Sequence, residues 1–401
     1  MRRPLVLLLF AAIFVAEMGW SGIAPLIPGF QDRFGLTESQ AGLVFTLASA
    51  GILVASLPAG ALSRRFAVRT MTLWAMVSLT AANVTLAVAD SFPVVLTGRV
   101  LFGLGLGTMW VAGTAWIHDA AGEEAQRALA MTTAVVGISA LLSPAFTGFV
   151  AERYSEGTPF VALSVVSLAM TVALFVAPST VGRVAQPSPP LADMLRAVGA
   201  DHLMLTSIVL TLAVSMMWMT TDLLVPLRLD DHGYSAGGIG LALSLASIMF
   251  VGASALTARH AERYATIRVS AVWTLAMSAG IVLAALSTST PATLAFLAIG
   301  GATSGVLIAL TYPLGATGAR RGRFSVAVVG ALLNMVWAGA GLIGPAAGGA
   351  VAQTLGDQAA FLVLAVIAAA SATWMWLRRD RGTIDPSEAE AASTPVLEHP
   401  I

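Results

Sequence analysis

The sequence predicts an all-α integral membrane protein: twelve transmembrane helices arranged as two parallel six-helix repeats. The composition gives the first reason. Hydrophobic residues make up 57% of the 401 residues, charged residues only 10%, and the mean hydropathy is +0.85. A soluble domain carries about 25% charged residues, so this chain has too little charge to cover a water-exposed surface. The second reason is that the apolar residues fall into runs of about 20, the length that crosses roughly 30 Å of hydrocarbon.

Twelve such apolar runs follow one another along the chain, separated by short breaks. The predicted spans, numbered 1 to 12, cover residues 5–29, 41–62, 70–89, 94–117, 128–150, 160–178, 203–229, 237–258, 268–287, 292–313, 325–351 and 359–377. The first run follows Arg2 and Arg3 and therefore imitates a signal peptide. It continues to about Phe30, longer than the roughly 7–15 apolar residues of a signal peptide, so we expect it to be retained as span 1.

The spans group into two predicted halves. Residues 1–178 form the N-terminal six-helix half and residues 203–378 the C-terminal six-helix half. The predicted linker between them, residues 179–202, contains a cluster of prolines and an amphipathic stretch around Leu191–Val198, and we expect it to be cytoplasmic. Residues 379–401 are acidic and lack apolar periodicity, which predicts a disordered tail.

The placement of the arginines predicts the orientation. All 21 basic residues are arginine, and 17 of them fall in loops and chain ends on one side of the predicted spans, against three on the other side. Positively charged loops stay in the cytoplasm. The sequence therefore predicts a multi-pass protein of the cytoplasmic (inner) membrane with both termini cytoplasmic.

The two halves are related in sequence. A shift of 198 positions aligns residues 18–67 with 216–265 and gives 15 identities in 50 positions. The informative identities are Trp20/Trp218, Pro28/Pro226, Asp32/Asp230, Gly42/Gly240 and Arg65/Arg263. Two parallel repeats of this kind build one class of secondary transporters, with the solute site at the interface between the repeats.

Several classes of function lack the residues they need. The chain has no cysteine, and since its basic residues are all arginine it has no lysine for a phosphate-binding loop of the Walker type or for a Schiff base. The net charge is zero, which gives no electrostatic case for nucleic acid. We find no metal-ligand spacing and no set of nucleophile, base and orienting group. We therefore expect no enzyme activity, no cofactor, no metal and no obligate protein partner.

Three ionisable residues fall within the predicted hydrocarbon depth: Glu17 in span 1, Arg99 in span 4 and Asp222 in span 7. A charge at this depth costs about 2.5–3.5 kcal/mol and is usually paired or functional. We predict that the three serve proton coupling, with Arg99 balancing the charge of Glu17. A permanent Glu17–Arg99 ion pair that only fixes helix packing is the alternative. Asp222 could instead reach interfacial water or pair with Arg228.

Aromatic and methionine side chains near mid-span are candidates for the solute cavity, because soft and flat side chains suit varied apolar ligands. The alternative is that they fill the membrane core. The candidates are Trp20, Trp110, Met217, Trp218, Tyr312 and Trp337.

Three motifs carry a family resemblance. The loop after span 2 reads Gly60-Ala61-Leu62-Ser63-Arg64-Arg65-Phe66-Ala67-Val68-Arg69, span 4 contains Arg99, Gly103 and Gly105, and span 11 contains Gly344-Pro345-Ala346-Ala347-Gly348-Gly349. Over residues 5–378 the chain resembles the major facilitator superfamily, in particular its twelve-span drug/proton antiporter-like members. The antiporter motif of span 5 is degenerate here, at Ser143–Gly148, and Arg64 replaces the usual acid of the loop after span 2.

The resemblance implies further features. Spans 1, 4, 7 and 10 would line a central cavity, and the loops would carry a cytoplasmic gate. With Arg64 in place of the acid, we expect the gate to depend on the repeat-related loop, with Glu262 approaching the start of span 5 and Arg65 and Arg263 beside it.

The predicted function is secondary active transport, as proton-coupled efflux of a small apolar or amphipathic compound. The expected partners are that solute, the proton and the lipid bilayer. Proton-coupled uptake or uniport of a small organic solute uses the same parts and stays open. A non-transporting membrane receptor or scaffold on the same fold is the alternative of another class, although it has no need for Glu17 and Arg99 at mid-depth.

Overall fold

The computed structural model describes residues 3–62, 65–177, 191–199, 201–324 and 327–379. It contains twelve helices long and apolar enough to cross a membrane, which confirms the predicted number of spans. Spans 1 to 6 are Arg3–Ser21 with Ile27–Phe34, Glu38–Leu62, Val68–Ala87, Phe92–Ala121, Ala125–Arg153 and Thr158–Val176. Spans 7 to 12 are His202–Asp231, Ala236–Ala258, Ile267–Leu286, Thr290–Arg321, Ala327–Leu355 and Asp357–Trp376.

Local chemistry sets where many spans begin. Spans 4, 6 and 10 carry proline in the first turn, where its missing N–H costs nothing. Span 7 follows Asp201, whose carboxylate accepts a hydrogen bond from the Leu203 N–H at 2.7 Å. Ser235 and Thr266 cap spans 8 and 9 in the same way.

Span 1 is broken, although the sequence predicts one continuous helix. The helix from Arg3 ends at Ser21, a 3₁₀ turn covers Ala24–Leu26, and a second helix starts at Ile27. Pro25 has no N–H for the Ser21 carbonyl, so the helical ladder stops there. The repeat-related span 7 stays helical through Pro226. The break leaves carbonyl oxygens at the end of the first helix without helical partners.

The halves meet along two pairs of spans, 2 with 11 and 5 with 8. At both contacts backbone lies against backbone. A Cβ added to Gly42 would lie 2.5 Å from the Pro345 carbonyl oxygen, and one added to Gly240 would lie 2.2 Å from the Pro144 carbonyl oxygen. The two Pro-containing segments related by the repeat thus provide the contact between halves, because small residues let helix backbones approach closely.

The two ends of the bundle differ. We call the end where span 1 begins and span 12 ends the terminal end, and the opposite end the distal end. One hydrophobic core joins both halves, and its members from the N-terminal half all come from the distal part: Ile23–Phe45, Leu86–Val95, Phe160 and Leu163. Toward the terminal end, one core belongs only to spans 1 to 6 and another only to the linker helix and spans 7, 10 and 11. Among the described side chains, the halves are therefore packed together distally and apart at the terminal end.

The linker region is described only in part. A helix covers Leu191–Val198, as its amphipathic pattern predicts, and buries Met194 and Ala197. The rest of the predicted linker before residue 191, Arg64 and the predicted tail from residue 380 lie outside the described residues.

Candidate functional site

Glu17 lies in the last part of the first helix of span 1 and is buried, with 8% of its surface exposed. Hydroxyls from span 5 hold the same stretch of helix: Ser139 Oγ donates to the Phe14 carbonyl at 2.9 Å and Ser143 Oγ donates to the Met18 carbonyl. The more exposed residues of this helix form a stripe, and the exposure grows toward the terminal end, where Leu7 is 62% exposed. Glu17 sits at the edge of that stripe, about 100° around the helix from Met18.

Trp110 of span 4 is the hydrogen-bond partner of Glu17. Its indole Nε1–H donates to Glu17 Oε1 at 2.8 Å, and Trp110 itself remains partly exposed. Trp110 is 11 residues after Arg99, which places the two about 20° apart around the helix and about 16 Å apart along it. Trp110 therefore points to the same side of span 4 as Arg99, toward spans 1 and 2.

Arg99 does not form the expected ion pair with Glu17. It is fully buried, and it donates from Nε to the Val44 carbonyl and from Nη1 to the Gly19 carbonyl, each at 3.0 Å. Gly19 lies in the last turn of the first helix of span 1. The Gly22 N–H still donates to the Met18 carbonyl at 3.1 Å, and the Gly19 carbonyl is the next one, where the helix breaks off. Arg99 thus fastens spans 1, 2 and 4, and the guanidinium packs 4.6 Å from the Phe102 ring centroid. The break in span 1, which the sequence did not predict, is the physical reason for the difference.

Asp222 of span 7 is buried, with 8% of its surface exposed. The structure gives its carboxylate no hydrogen bond or ion pair within the described part of the chain. Pairing with Arg228, one of the sequence alternatives, is wrong, because Arg228 Nε donates to Asp357 Oδ2 at 2.6 Å. Arg228 also donates to the Ala284 carbonyl at 2.8 Å, so it ties spans 7, 9 and 12 at the distal end.

Trp20 and Trp218 point into their own halves. Trp20 stacks on Phe102 of span 4, with ring centroids 6.4 Å apart. Trp218 Nε1 donates to Ser304 Oγ of span 10 at 3.1 Å and lies edge-on to Phe250 of span 8. Both tryptophans are two residues after the partly exposed Met18 and Met216, so they lie on nearly opposite helix faces from these methionines.

A small cavity lies beside Trp218 and Met217, between spans 7, 8 and 10. Its volume is about 10 Å³, close to the room that one water needs. It is too small for an organic solute in this conformation. Its lining is almost entirely apolar, and Thr221, whose buried Oγ1 has no hydrogen-bond partner among the described groups, lies at its edge.

Tyr312 and Trp337 belong to spans 10 and 11. Tyr312 is 51% exposed and shares the helix face of Gly301 and Gly305, which pack on span 8 closer to the distal end. Trp337 is partly buried and follows the face of Gly344, which packs on Met216 and Met219 of span 7. The structure does not bring the six aromatic and methionine candidates together into one pocket.

The family is decided by comparison with known proteins. A family model described as the Major Facilitator Superfamily matches residues 9–329 and 203–399. The chain belongs to the major facilitator superfamily. This confirms the resemblance carried by the sequence motifs, and the family is one of transporters.

Curated members of the superfamily match over part of their length. The "Quinolone resistance protein NorA" of Staphylococcus aureus (strain MSSA476) is 23% identical over 246 residues, which cover 60% of this chain and 62% of that protein. The "Hexuronate transporter" of Bacillus subtilis (strain 168) is 26% identical over 176 residues, covering 43% of this chain and 42% of that protein. Each match spans less than two thirds of the relative.

Solved structures of the superfamily match over nearly the whole chain. A bacterial homologue of the human lysosomal transporter Spinster, in an inward-facing and unoccupied conformation, gives a TM-score of 0.78 at 14% identity, covering 96% of this chain and 99% of that one. The nucleoside transporter NupG gives 0.75 at 11% identity, covering 93% and 98%. At these identities the match confirms the major facilitator fold.

The predicted gate residues are described incompletely. Arg65 and Arg263 are exposed at the terminal end, and the Arg263 guanidinium lies 5.8 Å from the Tyr264 ring centroid. Glu262 belongs to a short helix, Ala261–Tyr264, and its side chain lies outside the described part of the chain. The gate is expected in a conformation closed at the terminal end, so it stays a prediction.

Sequence reasoning missed a carboxylate that bridges the halves at the distal end. Glu152, at the end of span 5, accepts hydrogen bonds from Ser235 Oγ at 2.8 Å and from the Gly237 N–H at 3.1 Å. These donors form the first turn of span 8, where a negative charge is stabilised by the helix dipole. The sequence carried one signal, since Ser235 is a recognisable helix cap, but nothing marked its partner 83 residues earlier.

Proposed function

We propose that the protein is a proton-coupled secondary transporter that exports a small apolar or amphipathic compound across the cytoplasmic membrane, with Glu17 as the proton site. One observation carries the proposal: Glu17 is a buried carboxyl group at the edge of the more exposed stripe of its helix, and its hydrogen-bond donor is a neutral indole N–H. Burial favours the neutral form of a carboxyl group, and a neutral donor does not fix its charge as an arginine would. Such a group can take up and release a proton during a transport cycle.

The second buried carboxyl, Asp222, is a further candidate for proton uptake. It lies in the repeat-related helix of the other half, and the described residues provide no cation for it. Among the described residues, the buried arginines Arg99 and Arg228 are bound to carbonyls or to Asp357. Buried carboxyl groups in both halves, beside arginines that are already bound, do not favour an anionic solute. This argues against a hexuronate-like solute and agrees with an apolar or amphipathic one.

We further propose that the terminal end is cytoplasmic, because the arginine-rich loops lie there. The structure then corresponds to an inward-facing conformation, open to the cytoplasm. Efflux as the direction draws its support from NorA, a relative at 23% identity. In such a cycle, protonation of Glu17 from outside would follow opening of the distal end.

The experiment compares cells that lack the gene with cells complemented by wild type, Glu17→Gln or Glu156→Gln. We expect an exported compound to accumulate without the gene and to return to normal levels with wild type and with Glu156→Gln. Glu156 is a matched control because its carboxylate lies near Arg33 on the distal surface, 4.0 Å away. Glu17→Gln should behave like the deletion while its membrane level stays normal. Full complementation by Glu17→Gln would exclude Glu17 as the coupling site, and depletion of a compound without the gene would indicate uptake.

A further inference from the structure

Trp110 of span 4 contacts the proposed proton site directly. Its indole N–H is the donor that the structure gives to Glu17, at 2.8 Å, and the bond joins span 4 to span 1. The N–H is neutral and can bond a carboxylate oxygen without neutralising its charge. Trp110 is partly buried, so some of its surface remains exposed. One side chain therefore bonds the proposed proton site and stays partly accessible.

The ionisable groups of the spans packed on span 1 do not compete with Trp110 for the Glu17 carboxylate. The elements packed on span 1 carry the following: Arg69 in span 3; Arg99, His118 and Asp119 in span 4; Arg127, Glu152 and Arg153 in span 5. Span 6 has none between Thr158 and Val176. All except Arg99 lie at the ends of their spans, and Arg99 is bound to the Gly19 and Val44 carbonyls. In the repeat-related span 7, the more exposed residues Leu212 and Met216 are apolar.

We propose that Trp110 is the positioning residue of Glu17: its N–H holds the carboxylate and sets the pH at which the site takes up its proton. The inference rests on the proposed proton site and adds a second residue to it. A hydrogen bond to a charged group is stronger than one to its neutral form. Loss of the N–H therefore favours the protonated carboxyl. A solute that displaces the partly exposed indole would act on the same bond, which links solute contact to the proton affinity of Glu17 without direct contact between the solute and Glu17.

The test follows Glu17 itself, without any solute. The probe is the carbonyl stretch of a protonated carboxyl group, recorded by infrared difference spectroscopy of the purified full-length protein in lipid over a pH series. The Glu17 band is the one that disappears in Glu17→Gln. In Trp110→Phe, which keeps an aromatic ring and loses the N–H, we expect the midpoint of this band to move to higher pH by about one to two units, a tenfold to hundredfold change in proton affinity.

The same helix offers a matched control. Trp116 is fully buried in span 4, and its Nε1 has no hydrogen-bond partner among the described groups. Trp116→Phe removes an equal amount of ring and an N–H that bonds nothing, so we expect the Glu17 midpoint to stay at the wild-type value. Incorporation of benzothienylalanine at position 110, which keeps the bicyclic ring and replaces N–H by sulfur, should reproduce the shift of Trp110→Phe even if that variant folds poorly.

The outcomes separate the two proposals. A wild-type midpoint in the benzothienylalanine protein would overturn the role of Trp110 and leave Glu17 as the proton site. An equal shift in Trp116→Phe would show a general packing effect and would also overturn it. If no titrating band disappears in Glu17→Gln, Glu17 does not exchange protons, and both proposals fail.

Discussion

The Glu152 contact predicts how the two halves are held together at the distal end. Glu152 belongs to span 5, and its two donors, Ser235 Oγ and the Gly237 N–H, belong to span 8. Opening of the distal end must separate these spans and break both bonds. In Glu152→Gln the charge is lost and one oxygen remains as an acceptor. We therefore expect the variant to open distally more often than wild type.

The free energy that the Glu152 contact contributes depends on how exposed the Glu152 carboxylate is. Two hydrogen bonds to a carboxylate at a helix N-terminus would stabilise a buried contact by a few kcal/mol. Glu152 is exposed, so solvent screening reduces the gain to about 1 kcal/mol. A change of this size moves the equilibrium between distally closed and distally open states by about fivefold.

The assay uses the absence of cysteine from the chain. Spin labels on Asp90→Cys and Thr288→Cys, exposed distal positions of the two halves, report the distal separation by pulsed electron resonance. The long-distance fraction should rise about fivefold in Glu152→Gln. Glu156→Gln, which removes a neighbouring carboxylate that lies near Arg33 of its own half, should leave the distribution unchanged. Identical distributions in Glu152→Gln and wild type would refute the reasoning.

Three further substitutions test other contacts. Arg99→Ala should lower the unfolding free energy by about 2 kcal/mol, because two buried carbonyls lose the guanidinium as a donor. Its effect on the melting temperature should add to that of Glu17→Gln, since the two side chains are not paired. A strongly non-additive double mutant would contradict this. Asp357→Asn should cost about 2 kcal/mol, measured the same way, by leaving its buried arginine partner without a countercharge. Gly240→Ala should open the distal end in the spin-label assay, whereas Gly252→Ala, where a Cβ meets nothing within 4 Å, should not.

The number of apolar spans could be predicted from the sequence because it depends on local properties. Each span is determined by the length of its own apolar run and by the need of its backbone N–H and C=O groups for hydrogen bonds within the helix. The amphipathic Leu191–Val198 stretch likewise forms a helix. The sequence motif also marked glycines that let helices pack closely, and in the structure Gly103 lies against the Ala48 carbonyl of span 2. Contacts between side chains of different spans could not be predicted from these local properties.

The site was decided by tertiary structure. The sequence by itself determined that Glu17 and Arg99 would lie at membrane depth, since this follows from their positions within two apolar runs. Their partners depend on the rotation and depth of each helix and on the break at Pro25, and these place Glu17 against Trp110, 93 residues away. The break exposes the Gly19 carbonyl, which takes Arg99 instead of the carboxylate. Packing between the halves, with Glu152 at the start of span 8, likewise arises only when helices distant in sequence meet.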